Sequence, residues 1–557
     1  MRLSVYLDFQ GAMLLSLGFL LATPAPAAPA ARAGPSLGAD ITRLTGPLRE
    51  ASALTAPADR ADWSLRHRDP YPDPERVTVV VELLEGGDGW TVADAAMALD
   101  PDIVDPVVAG SYAQLRVPFE RLADVAALPD VRRVRTPLLA RPTEVISEGV
   151  EPMGLEDWQA GGLTGAGVRI GVLDVGFAGY EALLGEELPA SVEARFSGDW
   201  ESSGHGAAVA EVIHDIAPGA ELYLYNFLTD VEFIDRLNEI LDDGVQVVNA
   251  SVGFDNVWPI DGSSPWSQGV DQLAEYGVIY VAAAGNEAGN YASGALTDSD
   301  GDGWLELDGD DSVQFRTRGG QASASFRWSD DPLGSGTDID LFVYSGDSEC
   351  GRSQEVQDGD GFPYETVTCS VTGSWAEARL YSEQSVSGLT GWIYSAGGVH
   401  SDNATPEGTL TLPADALGAF TIGAYDPETK ELAEYSSQGP TADGRVKPDY
   451  VAPTGVSTVT YGSGYFEGTS ASAPHAAGLI ALLLERKPRA SVGKVRKLLT
   501  ERVEDLGEEG PDNLFGEGAL QAMDLPCGCV AAGAPARSGA AWLLPLFSLM
   551  ALARRRA

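Results

Sequence analysis

Hydrophobic and polar positions divide the chain into stretches of different texture. From Val168 onward, short apolar runs alternate with helical spacings. Arg169 to Asp174 (RIGVLD), Glu221 to Asn226 (ELYLYN), Val245 to Ala250 (VQVVNA) and Val278 to Ala283 (VIYVAA) read as buried strands. His205 to Ile216, Val231 to Asp243 and Ser267 to Tyr276 read as helices, the second closed by Gly244. Such alternation predicts βαβ units on a parallel sheet. The pattern breaks between about Asn290 and Leu412, where the chain is rich in Asp, Gly and Ser. Short strand patterns recur there, at Ser323 to Trp328, Asp340 to Tyr344 and Glu377 to Tyr381, as in a β-sandwich. The strand–helix alternation resumes at Ala419 to Ala424 (AFTIGA), followed by helices at Thr469 to Glu485 and Ser491 to Thr500. The pattern therefore predicts one α/β domain interrupted by an inserted β domain.

Ahead of this lies a smaller unit. Val77 to Leu84 and Tyr112 to Val117 read as strands, Phe119 to Leu128 as a helix stopped by Pro129, and Val131 to Arg135 as a further strand. The expected organisation is a signal segment over 1–30, an Ala/Pro/Asp-rich linker over 31–75 and an α+β domain over 76–142. An α/β domain follows in two parts, 150–290 and 413–525, around an insert over 291–412, with a tail over 526–557.

The two ends read as addresses. Arg2, the apolar run Gly11 to Ala22 and Ala25-Pro26-Ala27 have the layout of a secretory signal with its cleavage site. At the other end Cys527-Gly528-Cys529 precedes an apolar run, Ala540 to Ala553, and then Arg554-Arg555-Arg556. Fourteen apolar residues are short for a span, which takes about 20. Motif, short span and basic stop resemble the sorting tails of myxobacterial secreted proteins. That resemblance implies a sorting role for Cys527 and Cys529, partner machinery and a place at the cell surface or outer membrane. A simple C-terminal anchor is the other reading.

Composition narrows the classes. The chain has 557 residues, with 82 acidic against 36 Lys and Arg, for a formal charge of −46. A basic footprint for phosphates is missing, so nucleic acid is not an expected partner. A monomer is expected. Cys350 and Cys369 stand 19 apart in the insert. In a secreted chain they read as a disulfide, ahead of a metal pair for which no further ligand is near.

Serine hydrolysis needs a hydroxyl nucleophile, a histidine to take its proton, a carboxylate to orient that histidine, and donors for the oxyanion. Only five histidines exist: His67, His205, His214, His400 and His475. Asp174 ends a predicted buried strand, where α/β sites form. His205 lies in Gly204-His205-Gly206, at a predicted helix start. Ser470 lies in Gly468-Thr469-Ser470-Ala471-Ser472-Ala473-Pro474-His475-Ala476-Ala477-Gly478. An N-cap serine alone does not account for that eleven-residue string. His214 and His475 read as structural.

Together these strings resemble the subtilisin-like serine peptidases, in which the triad runs Asp, His, Ser. The resemblance covers about residues 150–290 and 412–505. It implies a subtilisin-like three-layer α/β fold and gives Asp174, His205 and Ser470 the triad roles. Ala282-Ala283-Ala284-Gly285-Asn286-Glu287 is similar to the family's oxyanion segment, which makes Asn286 a side-chain donor. Asn249-Ala250-Ser251-Val252-Gly253 is similar to the strand that pairs with substrate. Ser251, Val252, Gly253, Ala283 and Gly285 become the expected substrate contacts. The chain departs from the family at Val175, Ala207 and Ala471, none of which supplies a catalytic atom. The 76–142 unit resembles a subtilase propeptide, with cleavage expected between Pro137 and Met153; a permanent N-terminal domain is the alternative.

The insert begins with Asp298-Ser299-Asp300-Gly301-Asp302-Gly303, which matches the start of a calcium loop. Position 12 is Gly309 rather than Glu, so Asp308, Asp310 or Asp311 would have to close it. Asp298, Asp300 and Asp302 are thus candidate ligands for Ca²⁺, or an acidic solvated turn. Asp338 to Tyr344 resembles strands of β-sandwich domains attached to secreted peptidases. The expected function is a secreted serine endopeptidase. Its rival is a surface-binding protein that keeps the fold without turnover, and an esterase or ligase on the same triad shares the acyl-enzyme.

Overall fold

The computed structural model describes residues 43–522, except 58–59, 61–62, 65–68, 70, 72, 85, 139–140, 143–148 and 360. The signal segment and the tail with Cys527 and Cys529 lie outside the described residues.

Nine strands form the central sheet. Their order is Val503–Glu504, Ala519–Leu520, Tyr450–Pro453, Ala419–Tyr425, Ile279–Ala283, Val247–Ala250, Arg169–Asp174, Glu221–Asn226 and Glu193–Arg195. Every neighbouring pair is parallel except the first. A parallel sheet needs cover on both faces, and its strands read as apolar runs for that reason. Leu173, Tyr225, Val248, Tyr280 and Ala282 share a core with Phe233, Leu237 and Ile240 of helix Asp230–Asp242 and Trp266 and Val270 of helix Pro265–Glu275. The alternate residues Val172, Leu224, Val247 and Val281 are also buried, on the other face. Helices His205–Ile216 and Thr469–Arg486 pack tightly together: a Cβ at Gly478 would stand 2.7 Å from Ile216 Cβ. The long helix is buried from Thr469 to Leu484, which explains why its sequence is apolar on every side.

The N-terminal unit is a four-stranded antiparallel sheet in the order Val104–Ala109, Tyr112–Pro118, Arg76–Leu83, Val131–Arg135. Four features differ from the sequence expectation. The strand Val104–Ala109 is hidden in sequence by Pro106 and by Asp105, whose φ is +55°. Helix Gly89–Leu99 starts at Asp88, whose side chain accepts from Thr91 N–H. The stretch read as a linker joins the core: Leu44, Leu48, Ala51 and Trp63 are buried in it, and helix Gly46–Ser52 packs there. Its Ala and Pro content masked that apolar spacing. The expected helix 119–128 is a 3₁₀ turn, Phe119–Arg121, running into a short α-helix, Leu122–Ala126.

The insert is wholly antiparallel. Its strand path runs Ser348–Ser353, Asp340–Ser345, Trp375–Tyr381, Trp304–Leu307, Tyr291–Thr297, Thr390–Tyr394, Gln321–Trp328, Tyr364–Ser370, with Val313–Arg316 added beside Trp375–Tyr381. The path encloses its own core around Phe315, Phe326, Trp328 and Leu341. Cys350 and Cys369 form a disulfide. They lie on the first and last strands of that path, so the bond ties its two ends together.

Candidate active site

Parallel strands bring their C-terminal ends to one edge, and the candidate residues gather there. Asp174 ends Arg169–Asp174, Ser251 follows Val247–Ala250, and Asn286 follows Ile279–Ala283. Asp174 is fully buried. Its Oδ2 lies 2.8 Å and its Oδ1 3.0 Å from His205 Nδ1. Oδ1 also accepts from Val175 N–H at 2.8 Å, which leaves the carboxylate little freedom. Gly206 makes this approach possible, since a Cβ there would stand 2.7 Å from Asp174 Cβ. A carboxylate on Nδ1 sets the tautomer and leaves Nε2 as the basic atom. That Nε2 is buried and makes no hydrogen bond among the described residues.

Ser470 is the second residue of helix Thr469–Arg486 and is fully buried. Gly468 before the helix has φ +103°, a conformation that disfavours any side chain. Ser470 Oγ donates to Ser251 O at 2.9 Å, and Ser251 Oγ donates to Ser470 O at 3.0 Å. Asn249 Nδ2 in turn donates to Ser251 Oγ at 2.9 Å. Ser251 therefore braces the segment that carries Ser470.

Asn286 Oδ1 accepts from Thr469 N–H at 2.9 Å and from Thr469 Oγ1 at 3.0 Å. With Oδ1 engaged twice, the amide N–H₂ is the end left to meet a substrate oxygen. Thr469 Oγ1 also accepts from Gly285 N–H at 3.1 Å. No sequence signal had singled out Thr469.

Val252, Gly253, Ala283, Gly285 and Asn286 border a cavity of about 460 Å³. Strand Val252–Gly253 pairs antiparallel with Arg141–Pro142, opposing Gly253 to Arg141 and Val252 to Pro142. An extended peptide thus already lies against the segment expected to pair with substrate. Residues of the insert, including Arg316, Arg318 and Tyr394, line the same cavity. These were not legible in the sequence.

His475 takes no part in this arrangement. Its Nδ1 lies 2.7 Å from Ala471 O, and burial pushes its imidazole down to about 4. His214 is half-buried, and burial lowers it too. Both fit the structural reading.

In the insert, carboxylate oxygens of Asp298, Asp300 and Asp302 all lie within 4.8 Å of one another. Ca²⁺ takes about 6–8 oxygens, so the three supply part of a shell. Asp308, Asp310 and Asp311 do not join the cluster. Asp310 instead accepts from Asn403 Nδ2 at 2.8 Å.

Comparison with known proteins identifies the family of the chain. The sequence profile of the subtilase family, peptidase S8, matches residues 165–305 and 366–518, more than half of the chain. The chain belongs to the subtilase family. It is 24% identical over 496 residues to the minor extracellular protease Vpr of Bacillus subtilis, covering 74% of this chain and 59% of that protein. It is 32% identical over 149 residues to the serine protease AprX of the same organism, covering 22% of this chain and 33% of that protein. With bacillopeptidase F the figures are 29% identity over 163 residues, 28% of this chain and 10% of that protein. The chain spans less than two thirds of the length of each of these relatives. Among solved structures, the CspB protease of Clostridium perfringens aligns with a TM-score of 0.49 at 17% identity, covering 67% of this chain and 97% of that one.

Proposed function

We propose that this chain is a secreted serine endopeptidase that hydrolyses peptide bonds of protein or peptide substrates through an acyl-enzyme on Ser470. The observation that carries this reading is the buried His205–Asp174 pair, 2.8 Å apart, at the sheet edge that also holds Ser470 and Asn286. Ser470 Oγ leaves Ser251 O and gives its proton to His205 Nε2 as it attacks the substrate carbonyl carbon. The carbonyl oxygen becomes an oxyanion, met by the Asn286 amide and the Ser470 N–H. His205 then returns the proton to the leaving amine. Water repeats the cycle on the ester, and Asp174 holds the imidazolium throughout.

The N-terminal unit acts in this reading as a propeptide. Its C-terminal segment, Arg141–Pro142, occupies the strand position that substrate would take. Its Arg135 pairs with Asp230, and Tyr71 Oη donates to Glu232 Oε1 at 2.6 Å, both on the first turn of helix Asp230–Asp242. The signal-like start routes the chain outward, and the Cys527–Cys529 tail delivers it to the surface. Asp298, Asp300 and Asp302 would hold a calcium ion that stiffens the start of the insert.

The test is labelling with a fluorophosphonate probe, wild type beside Ser470→Ala. Labelling of the wild type alone is expected. A folded protein freed of its N-terminal unit that takes no label would instead be a binding protein on a peptidase fold.

A further inference from the structure

The insert interrupts the peptidase beside the oxyanion residue and returns beside the same cavity. It leaves after Glu287, and its first strand starts at Tyr291. On return, Thr411 N–H donates to Ala284 O at 2.9 Å, while Leu412 and Phe254 exchange backbone bonds at 2.9 and 3.1 Å. Asn256 Nδ2 reaches Trp392 O at 3.1 Å from the peptidase side. These bonds fasten the insert to the strands that carry the substrate contacts, so it forms a wall of the cavity.

The two sides of the cavity differ in charge. The peptidase side carries Asp255 and Glu287, and Glu467 is exposed at the cavity edge. Asp255 Oδ2 accepts from Tyr394 Oη at 3.2 Å, and its Oδ1 accepts from Thr411 Oγ1 at 3.1 Å. Glu287 is buried and accepts from Asn290 Nδ2. The insert side carries Arg316 and Arg318, both exposed. Arg316 lies over the Trp375 ring at 5.1 Å, which holds its guanidinium in place. Neither arginine makes an ion pair among the described residues, in a chain with 82 acids against 36 Lys and Arg. A guanidinium presents a rigid fork of donors that matches a carboxylate.

We propose that Arg316 and Arg318 of the insert are specificity-determining residues that select an acidic side chain, Asp or Glu, at the substrate residue whose carbonyl Ser470 attacks. Asn286 holds that residue's carbonyl oxygen and also lines the cavity. The side chain of the same residue is therefore the one that enters. Asp255 and Glu287 already accept bonds from Tyr394, Thr411 and Asn290, whereas the two guanidiniums have open donors. The inference rests on the peptidase reading above.

The test uses the purified full-length gene product, its active sites titrated with the fluorophosphonate probe. It compares kcat/KM for peptides that differ only in Glu, Gln or Lys at that residue. Glu should exceed Gln by about tenfold or more, the scale of one charge-assisted hydrogen bond. Arg316→Gln with Arg318→Gln should bring the Glu-to-Gln ratio to about one, and Arg316→Glu with Arg318→Glu should put Lys ahead of Glu. An unchanged unfolding midpoint in the variants excludes a folding defect. Parity of Glu and Gln in the wild type, a preference for Lys, or a Glu preference that survives in both double variants overturns the proposal. A folded wild type freed of its N-terminal unit that neither takes the probe nor cuts any peptide overturns the peptidase reading itself, a result distinct from these.

Discussion

Thr469 gives both of its donors, the backbone N–H at 2.9 Å and the hydroxyl at 3.0 Å, to the side-chain oxygen of Asn286. The residue preceding Ser470 thus orients the amide expected to meet the oxyanion. Asn286→Ala should lower kcat by ~10²–10³ with little change in KM, because the lost bond forms in the transition state. Thr469→Val keeps volume and removes only the hydroxyl. It removes the bond given to Asn286 and the one accepted from Gly285 N–H, and should cost about tenfold or more in kcat, on the scale of one to two hydrogen bonds. Equal kcat for Thr469→Val and wild type would remove the orienting role.

The pairing of Arg141–Pro142 with Val252–Gly253 sets where the chain would cut itself. The bond reached by Ser470 then lies shortly after Pro142. N-terminal sequencing of the mature protein should find its start between residues 143 and 149. Ser470→Ala should stay uncut. A start before residue 137, or processing of the Ser470→Ala protein by itself, would contradict self-cleavage at this cleft.

The fold of the N-terminal unit should weaken in acid. Burial alone would raise the Glu82 carboxyl, but the guanidiniums of Arg133 and Arg135 overcome it and hold it down at about 2, against an ordinary 4.5. Arg135 Nε reaches Glu82 at 2.6 Å and also pairs with Asp230 of the peptidase part. A carboxyl lowered in the folded state stabilises it above its unfolded pKa and loses that effect as pH falls toward the folded value. The window is therefore pH 4.5 down to about 2, and a shift of this size corresponds to roughly 3 kcal/mol. In Ser470→Ala protein, unfolding of the N-terminal unit followed by hydrogen exchange should show this loss. Glu82→Gln should flatten the profile and lower stability at neutral pH.

The Cys350–Cys369 disulfide closes a separation of 19 residues between the end strands of the insert. Replacing both cysteines by Ala should lower the insert's stability by about 3 kcal/mol on the loop-entropy scale. Thermal unfolding under non-reducing conditions reads the difference. A midpoint unchanged by the double substitution would assign the bond no stabilising role.

Calcium bound by Asp298, Asp300 and Asp302 should stabilise the insert by ~2.7 kcal/mol at a hundred times its dissociation constant. Chelation should lower the unfolding midpoint, and Asp298→Asn should abolish that response. A midpoint indifferent to calcium and to chelator would make the cluster an acidic turn.

Five central strands of the peptidase sheet and its longer helices were legible from alternation, because a parallel sheet covered on both faces leaves continuous apolar runs; the short strands Glu193–Arg195, Tyr450–Pro453, Val503–Glu504 and Ala519–Leu520 were not. Boundaries moved by only one or two residues, as at helix Asp230–Asp242, expected from Val231 to Asp243. The N-terminal unit was less legible. Leu44, Leu48 and Trp63 sit in its core, although Ala and Pro around them gave the stretch a linker's composition.

The sequence by itself determined the class of the protein and pointed to the four residues proposed for its chemistry. Asp174, His205, Asn286 and Ser470 each stand in a local string whose glycines and small residues serve close approach. Gly206 against Asp174 and the positive φ of Gly468 are that need seen in space. Only the tertiary structure decided how these strings brace one another. The bond between Thr469 and Asn286 spans 183 positions, and that between Tyr394 and Asp255 spans 139. Contacts of such separation leave no periodic trace in the chain. For the same reason the insert read as a separate domain in sequence, while in the fold its Arg316 and Arg318 line the same cavity as Gly253.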